Sequence, residues 1–131
     1  MPVGTPGKIL LIDDDPDIQS IYGEILTQAG YRLEVALDGE DAYSKILQGG
    51  YDLILLDIML PKIDGLGILK RLKEHPPNTS SYNGPIIVLS QLNQPEIINS
   101  ALSLGAKGYI VKSSLTPDQV LAKVTQILQS P

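Results

Sequence analysis

Three short runs in this chain, KILLI (Lys8 to Ile12), DLILL (Asp52 to Leu56) and PIIVL (Pro85 to Leu89), are apolar at nearly every position. A strand with one wet face alternates apolar and polar residues, whereas an unbroken apolar run needs cover on both faces. Each run is too short for a buried helix, so all three read as central strands of a parallel sheet. Helices must then pack on either side.

The intervening segments supply those helices. Asp15-Pro16 offers an N-cap followed by proline at the first helical position, and Ile18, Ile21, Tyr22, Ile25, Leu26 and Ala29 recur at helical spacing up to Gly30. Tyr31 to Ala36 alternates, with Leu33 and Val35 against Arg32 and Glu34, and reads as a second strand. Asp38 to Leu47 carries Ala42, Tyr43, Ile46 and Leu47 on one face and stops at Gly49-Gly50. Pro61 to Gly65 is turn-rich, Leu66 to Glu74 is helical, and His75 to Gly84 is a polar loop containing prolines. Pro95 to Leu104 is a helix closed by Gly105, Lys107 to Val111 is a strand, and Thr116 to Gln129 is a last helix. That helix has Thr116 as its cap, Pro117 first and Asp118 in its first turn. Strict alternation of five strands with five helices predicts a doubly wound parallel sheet with right-handed crossovers. One α/β domain over residues 8–129, preceded by a leader over residues 1–7, is the expectation.

Bulk properties narrow the function. The 131 residues are 43% hydrophobic and 19% charged, as expected for a globular domain with a core. Ten basic against fifteen acidic residues give a net charge of −5, which argues against direct nucleic-acid binding and against a basic face for anionic lipid. No apolar run approaches the roughly 20 residues of a membrane span, and Met1 to Gly7 lacks the regions of a signal peptide. Cysteine is absent, so thiolate catalysis and Cys-ligated zinc are excluded. A cytoplasmic protein is expected.

Ligands of open parallel sheets sit beyond the carboxyl ends of the strands. Strand one stops at Asp13-Asp14, strand three at Asp57, strand four at Ser90 and strand five at Lys112. Taken singly each is unremarkable, and Asp15 reads as the cap of the helix that Pro16 begins. Asp57 has no such reading, because Ile58-Met59-Leu60-Pro61 follows it and no helix starts there. Together, Asp13, Asp14 and Asp57 would crowd negative charge onto one edge. A hard divalent cation resolves that crowding, Mg²⁺ with carboxylates, waters and a phosphate as ligands. A metal and an ammonium facing carboxylates suit phosphoryl transfer, and a carboxylate can itself attack phosphorus. Asp57 is the candidate acceptor, with Ser90 placed to hydrogen-bond a phosphate oxygen.

The motifs ILLIDDD, DLILLDIMLPKIDG, PIIVLS and GAKGYIVK, at their spacing over Lys8 to Gln129, resemble the receiver domain of two-component response regulators. The family is related to the chemotaxis response regulator. The resemblance implies a flavodoxin-like sheet of strand order 2-1-3-4-5. It implies a phospho-accepting switch, and no enzyme beyond its own phosphorylation and dephosphorylation, with Asp57 phosphorylated by a sensor histidine kinase or phosphotransfer protein. It further implies Mg²⁺, with Mn²⁺ as a substitute, bound by Asp14, Asp57 and the main-chain carbonyl of Met59, with Asp13 acting largely through water. Ser90 matches the switch hydroxyl, Lys112 the family lysine, and Tyr109 the aromatic position that rotates inward on activation. The output is a repacked helix 4–strand 5–helix 5 surface read by a downstream protein or output domain.

The chain departs from the pattern in places. Ser113 follows Lys112 where proline after a cis peptide is usual, so this peptide is either strained cis or trans in a loop of another shape. Gln91 follows Ser90 where a small residue is commoner, Met59 and Leu92 flank the acceptor region, and the loop from His75 to Gly84 is longer than usual. His75 reads as a solvated helix-end residue. A rival reading, a phosphatase of the haloacid dehalogenase type with Asp13 as nucleophile, needs an acidic pair after Lys112. Only Asp118 is present, and Asp57 is left without a role.

Overall fold

The computed structural model describes residues 7–60, 62–76, 83–90 and 95–129. Along the chain run β1 (Lys8–Ile12), α1 (Pro16–Gln28), β2 (Arg32–Ala36), α2 (Gly39–Gln48), β3 (Leu53–Asp57) and α3 (Gly65–Glu74). They are followed by β4 (Ile86–Ser90), α4 (Pro95–Ser103), β5 (Gly108–Val111), a single 3₁₀ turn at Lys112–Ser114, and α5 (Pro117–Gln129). All strand pairs are parallel and the order is β2-β1-β3-β4-β5, the flavodoxin-like arrangement.

The unbroken apolar runs are explained by two cores, one on each face of the sheet. In β1, Ile9 and Leu11 turn to one face and Leu10 and Ile12 to the other, and all four are fully buried. Tyr22 and Leu26 of α1 and Val120 and Val124 of α5 cover the first face. Ala42 and Ile46 of α2, Ile68 and Leu69 of α3, and Ala101 of α4 cover the second. Because successive strand residues point to opposite sides, β1 and β3 need apolar residues at every position.

The helix starts follow their capping residues. The Asp17 N–H donates to Asp15 Oδ1 at 2.9 Å, with Pro16 opening α1. Asp38 and Asp64 accept from the Asp41 and Gly67 N–H groups at 2.9 and 2.8 Å and cap α2 and α3. At α5, Thr116 Oγ1 accepts from the Gln119 N–H at 3.2 Å while Gln119 Oε1 accepts from the Thr116 N–H at 2.9 Å, a reciprocal capping box.

Element boundaries move by one or two residues from the sequence reading. The third strand is shifted to Leu53–Asp57, so Asp57 lies within it. Asp52 falls outside, its carboxylate accepting from the Lys8 N–H at 2.8 Å. No described residue follows a cis peptide, so the Lys112–Ser113 bond is trans and the chain turns there through the 3₁₀ segment. No helix among the described residues is long and apolar enough to cross a membrane.

Leu55 sits at the centre of β3 at 0% exposure. Leu55→Ala is expected to lower stability by about 2–5 kcal/mol, the range for a buried leucine truncation, as read from the urea midpoint at unchanged slope.

Candidate functional site

Strand register assembles the site. Ile12 pairs with Leu56, Asp57 with Leu89 and Ser90 with Val111. The next residues after β1 and β5 are Asp13 and Lys112, so both join Asp57 and Ser90 at the carboxyl rim. The Asp13 N–H still donates to the Ala36 carbonyl at 3.2 Å, which continues the ladder and keeps its carboxylate inside. The rim straddles β1 and β3, where the strand order reverses and the connections diverge to opposite faces.

Asp13 is fully buried, Asp57 is 4% exposed and Ser90 is 5% exposed, while Asp14 lies open to solvent. One carboxylate oxygen from each of Asp13, Asp14 and Asp57 lies within 4.8 Å of the others. The buried Lys112 ammonium stands 2.9 Å from Asp13 Oδ2 and 3.6 Å from Asp57 Oδ2. One cation therefore faces two buried carboxylates. Burial pushes the Asp57 carboxyl up to about 6, and the charges of Asp13 and Asp14 push the same way, against Lys112 and the Met59 N–H.

The remaining lone pairs are used unevenly. Asp13 Oδ1 accepts from the Asp15 N–H at 2.9 Å, so both oxygens of Asp13 are engaged. Asp57 Oδ1 accepts from the Met59 N–H at 3.1 Å. The Asp14 carboxylate accepts no hydrogen bond among the described residues. Three hard oxygen donors of this spacing, one of them unclaimed, fit a small divalent cation.

The segment after Asp57 is clamped. A Cβ on Gly65 would lie 2.6 Å from the Asp57 carbonyl oxygen, and one on Gly39 would lie 1.9 Å from the Ile63 carbonyl oxygen, so only glycine permits either approach. Lys62 holds a left-handed φ of 68° and its ammonium stands 3.6 Å from Asp38 Oδ2. This ties the segment to the N-terminus of α2.

Of the residues expected from sequence, Asp13, Asp14, Asp57 and Lys112 come together directly, and Ser90 ends β4 at the same rim. The Met59 side chain is 71% exposed, so only its backbone serves the rim. Tyr109 lies on β5 with its side chain 43% exposed, outside the acidic group. His75 is exposed at the end of α3. Pro61, Gln91, Leu92 and the 77–82 part of the polar loop lie outside the described residues. Sequence reasoning missed Gln19, whose side-chain amide donates to the Asp13 carbonyl at 2.7 Å. A polar residue one turn into a helix gives no periodic signal. Its place directly above the strand end was the clue available.

In metal-free protein the rim predicts opposite effects for two substitutions. A carboxyl with a folded pKa of about 6 against an ordinary 3.8 favours folding most below pH 3.8, and that contribution is lost as pH rises through 6. Asp57→Asn is expected to raise stability at pH 7.5 in EDTA by roughly 2 kcal/mol. It should also flatten the gain that the wild type shows between pH 7.5 and 5.5. Lys112→Met leaves Asp13 buried without its cation and should lower stability by about 3 kcal/mol. Urea denaturation at both pH values checks each sign.

The comparisons with known proteins agree with this geometry. The family model of the response regulator receiver domain matches residues 9–125. The chemotaxis protein CheY of Treponema pallidum is 35% identical over 131 residues, covering 98% of this chain and 87% of that protein. A gliding motility regulatory protein of Myxococcus xanthus is 40% identical over 108 residues, covering 82% of this chain but 14% of its own length. The chain spans about half the length of several regulators that it also matches, among them the transcriptional regulatory proteins DltR of Streptococcus agalactiae and TrcR of Mycobacterium tuberculosis. Among solved structures, the receiver domain of the Francisella response regulator 1452 superposes with a TM-score of 0.79 at 31% identity, covering 94% of this chain and 97% of that one. With its sheet order, its acidic rim and its lysine in place, this chain belongs to the response regulator receiver domain family.

Proposed function

We propose that residues 8–129 form a phospho-accepting switch in which Asp57 takes a phosphoryl group from a sensor histidine kinase or phosphotransfer protein. Receiver domains bind Mg²⁺ at an acidic pocket, and here Asp13, Asp14 and Asp57 lie close together. The observation that carries the reading is this convergence, with the Lys112 ammonium 2.9 and 3.6 Å from two of the carboxylates. Asp14 and Asp57, with the Met59 carbonyl, are the direct ligands. Asp13, whose oxygens are already engaged by Lys112 and the Asp15 N–H, acts through water. Bound Mg²⁺, or Mn²⁺ in its place, would neutralise charge on the incoming phosphoryl oxygens.

In the transfer, an Asp57 carboxylate oxygen forms a bond to phosphorus as the bond from phosphorus to the donor's imidazole nitrogen breaks. The electron pair of that bond stays on the nitrogen. Lys112 pairs with the new phosphoryl oxygens, and the Ser90 hydroxyl donates to one of them. Hydrolysis of the acyl phosphate resets the switch, so the chemistry is confined to the domain's own phosphorylation and dephosphorylation. The added charge favours the arrangement in which Ser90 moves toward Asp57 and Tyr109 turns inward. That repacks α4, β5 and α5 for a downstream protein or output domain. The present outward setting of Tyr109 supports an unphosphorylated resting arrangement. A histidine kinase as donor places the switch in the cytoplasm, acting without direct contact to nucleic acid or membrane.

Incubation with Mg²⁺ and acetyl phosphate should add one phosphoryl mass to the protein, read by intact mass spectrometry. The adduct should vanish in Asp57→Asn and with EDTA. Retention of the adduct in Asp57→Asn would exclude Asp57 as the acceptor.

A further inference from the structure

Asp14 is the one carboxylate of the rim that accepts no hydrogen bond among the described residues, yet its direction is closely set. Both peptides flanking it are pinned. The carbonyl oxygen of the peptide before it, that of Asp13, accepts from Gln19 Nε2 at 2.7 Å. The N–H of the peptide after it, that of Asp15, donates to Asp13 Oδ1 at 2.9 Å. Two peptide planes fix the φ and ψ of the residue between them, and so the bond along which its side chain leaves the backbone. The second pin belongs to Asp13. The first comes from Gln19, whose side chain makes no hydrogen bond to the three carboxylates among the described residues.

We propose that Gln19 is a positioning residue for the divalent-cation site, acting by holding the Asp13–Asp14 peptide so that the Asp14 carboxylate is aimed at the metal. This rests on the reading of Asp14 as a direct ligand. The residue type fits the task. An amide donates to the carbonyl and adds no charge beside three carboxylates, whereas a glutamate there could not donate at neutral pH and would deepen the repulsion. Gln19 is anchored for this role by its own N–H, which donates to the Asp15 carbonyl at 3.0 Å in the capped first turn of α1. Orienting a ligand through its backbone leaves the ligand's side chain entirely available to the ion.

The test is titration of the full chain with Mg²⁺ alone, followed by amide NMR shifts at the rim, for the wild type and Gln19→Ala. Loss of an outer-shell partner weakens metal binding by about tenfold or more where the partner is essential. Gln19→Ala should raise the dissociation constant by roughly three- to tenfold. The metal-free urea midpoint of Gln19→Ala should stay at the wild-type value. In acetyl phosphate assays the half-saturating Mg²⁺ concentration should rise in parallel, with the rate at saturating metal largely retained. Unchanged Mg²⁺ affinity in Gln19→Ala beside a wild type that binds would overturn the positioning role, as would a lowered urea midpoint without any change in affinity. A wild type that shows no Mg²⁺-dependent shifts would instead overturn the metal reading itself, and this role with it.

Discussion

Like charges packed at the end of a buried sheet, with one ammonium set among them, are the constraint on which the rest of the molecule depends. Two unit charges about 4 Å apart interact by roughly 4 kcal/mol at the effective dielectric of a protein surface. Asp13 and Asp57 lie deeper than that, and Lys112 reaches both. Every element that fixes the rim therefore bears an electrostatic load. The Asp13 N–H stays in the ladder, β5 delivers the lysine, and the Met59 and Asp15 N–H groups point at carboxylate oxygens. The raised Asp57 carboxyl is the residue of repulsion and burial that these contacts do not remove.

That load is carried by stiff parts. β1 and β3 are sealed on both faces, and Gly65 against the Asp57 and Ile58 backbone and Gly39 against Ile63 leave no room for a methyl group. A left-handed lysine between them, at a position where glycine or asparagine is the easier choice, shows how far packing dictates this path. On the same rim the parts facing solvent are few among the described residues. The Asp14 carboxylate and the Met59 side chain are open.

The fold was legible in the sequence because both faces of the sheet are covered. Runs such as LILL leave no polar alternation to misread, and Pro16, Pro117, Gly49 and Gly105 mark the turns. Asp13, Asp14, Asp57, Ser90 and Lys112 were legible as a set because each stands where a strand stops. What sequence could not supply was the division of labour among them. The sharing of Lys112 between Asp13 and Asp57 depends on a separation of 99 residues closing to 2.9 Å. Gln19 was invisible because a half-buried amide on a helix has no pattern of its own. Asp57 was placed just past its strand because a charged residue looks like a terminator, and only the ladder shows it paired with Leu89.

The lysine follows directly on the last strand, and among the described residues that strand is at the edge of the sheet, paired with β4 alone. A chain folded only through its first four strands would hold Asp13 and Asp57 side by side with no counter-charge. It would also leave the β4 edge open and α5 missing from one face. Each deficit disfavours the partial structure, and all are relieved when Gly108–Val111 docks. The charges that tune the rim thus also penalise half-built sheets, which makes assembly of the domain more nearly all-or-none.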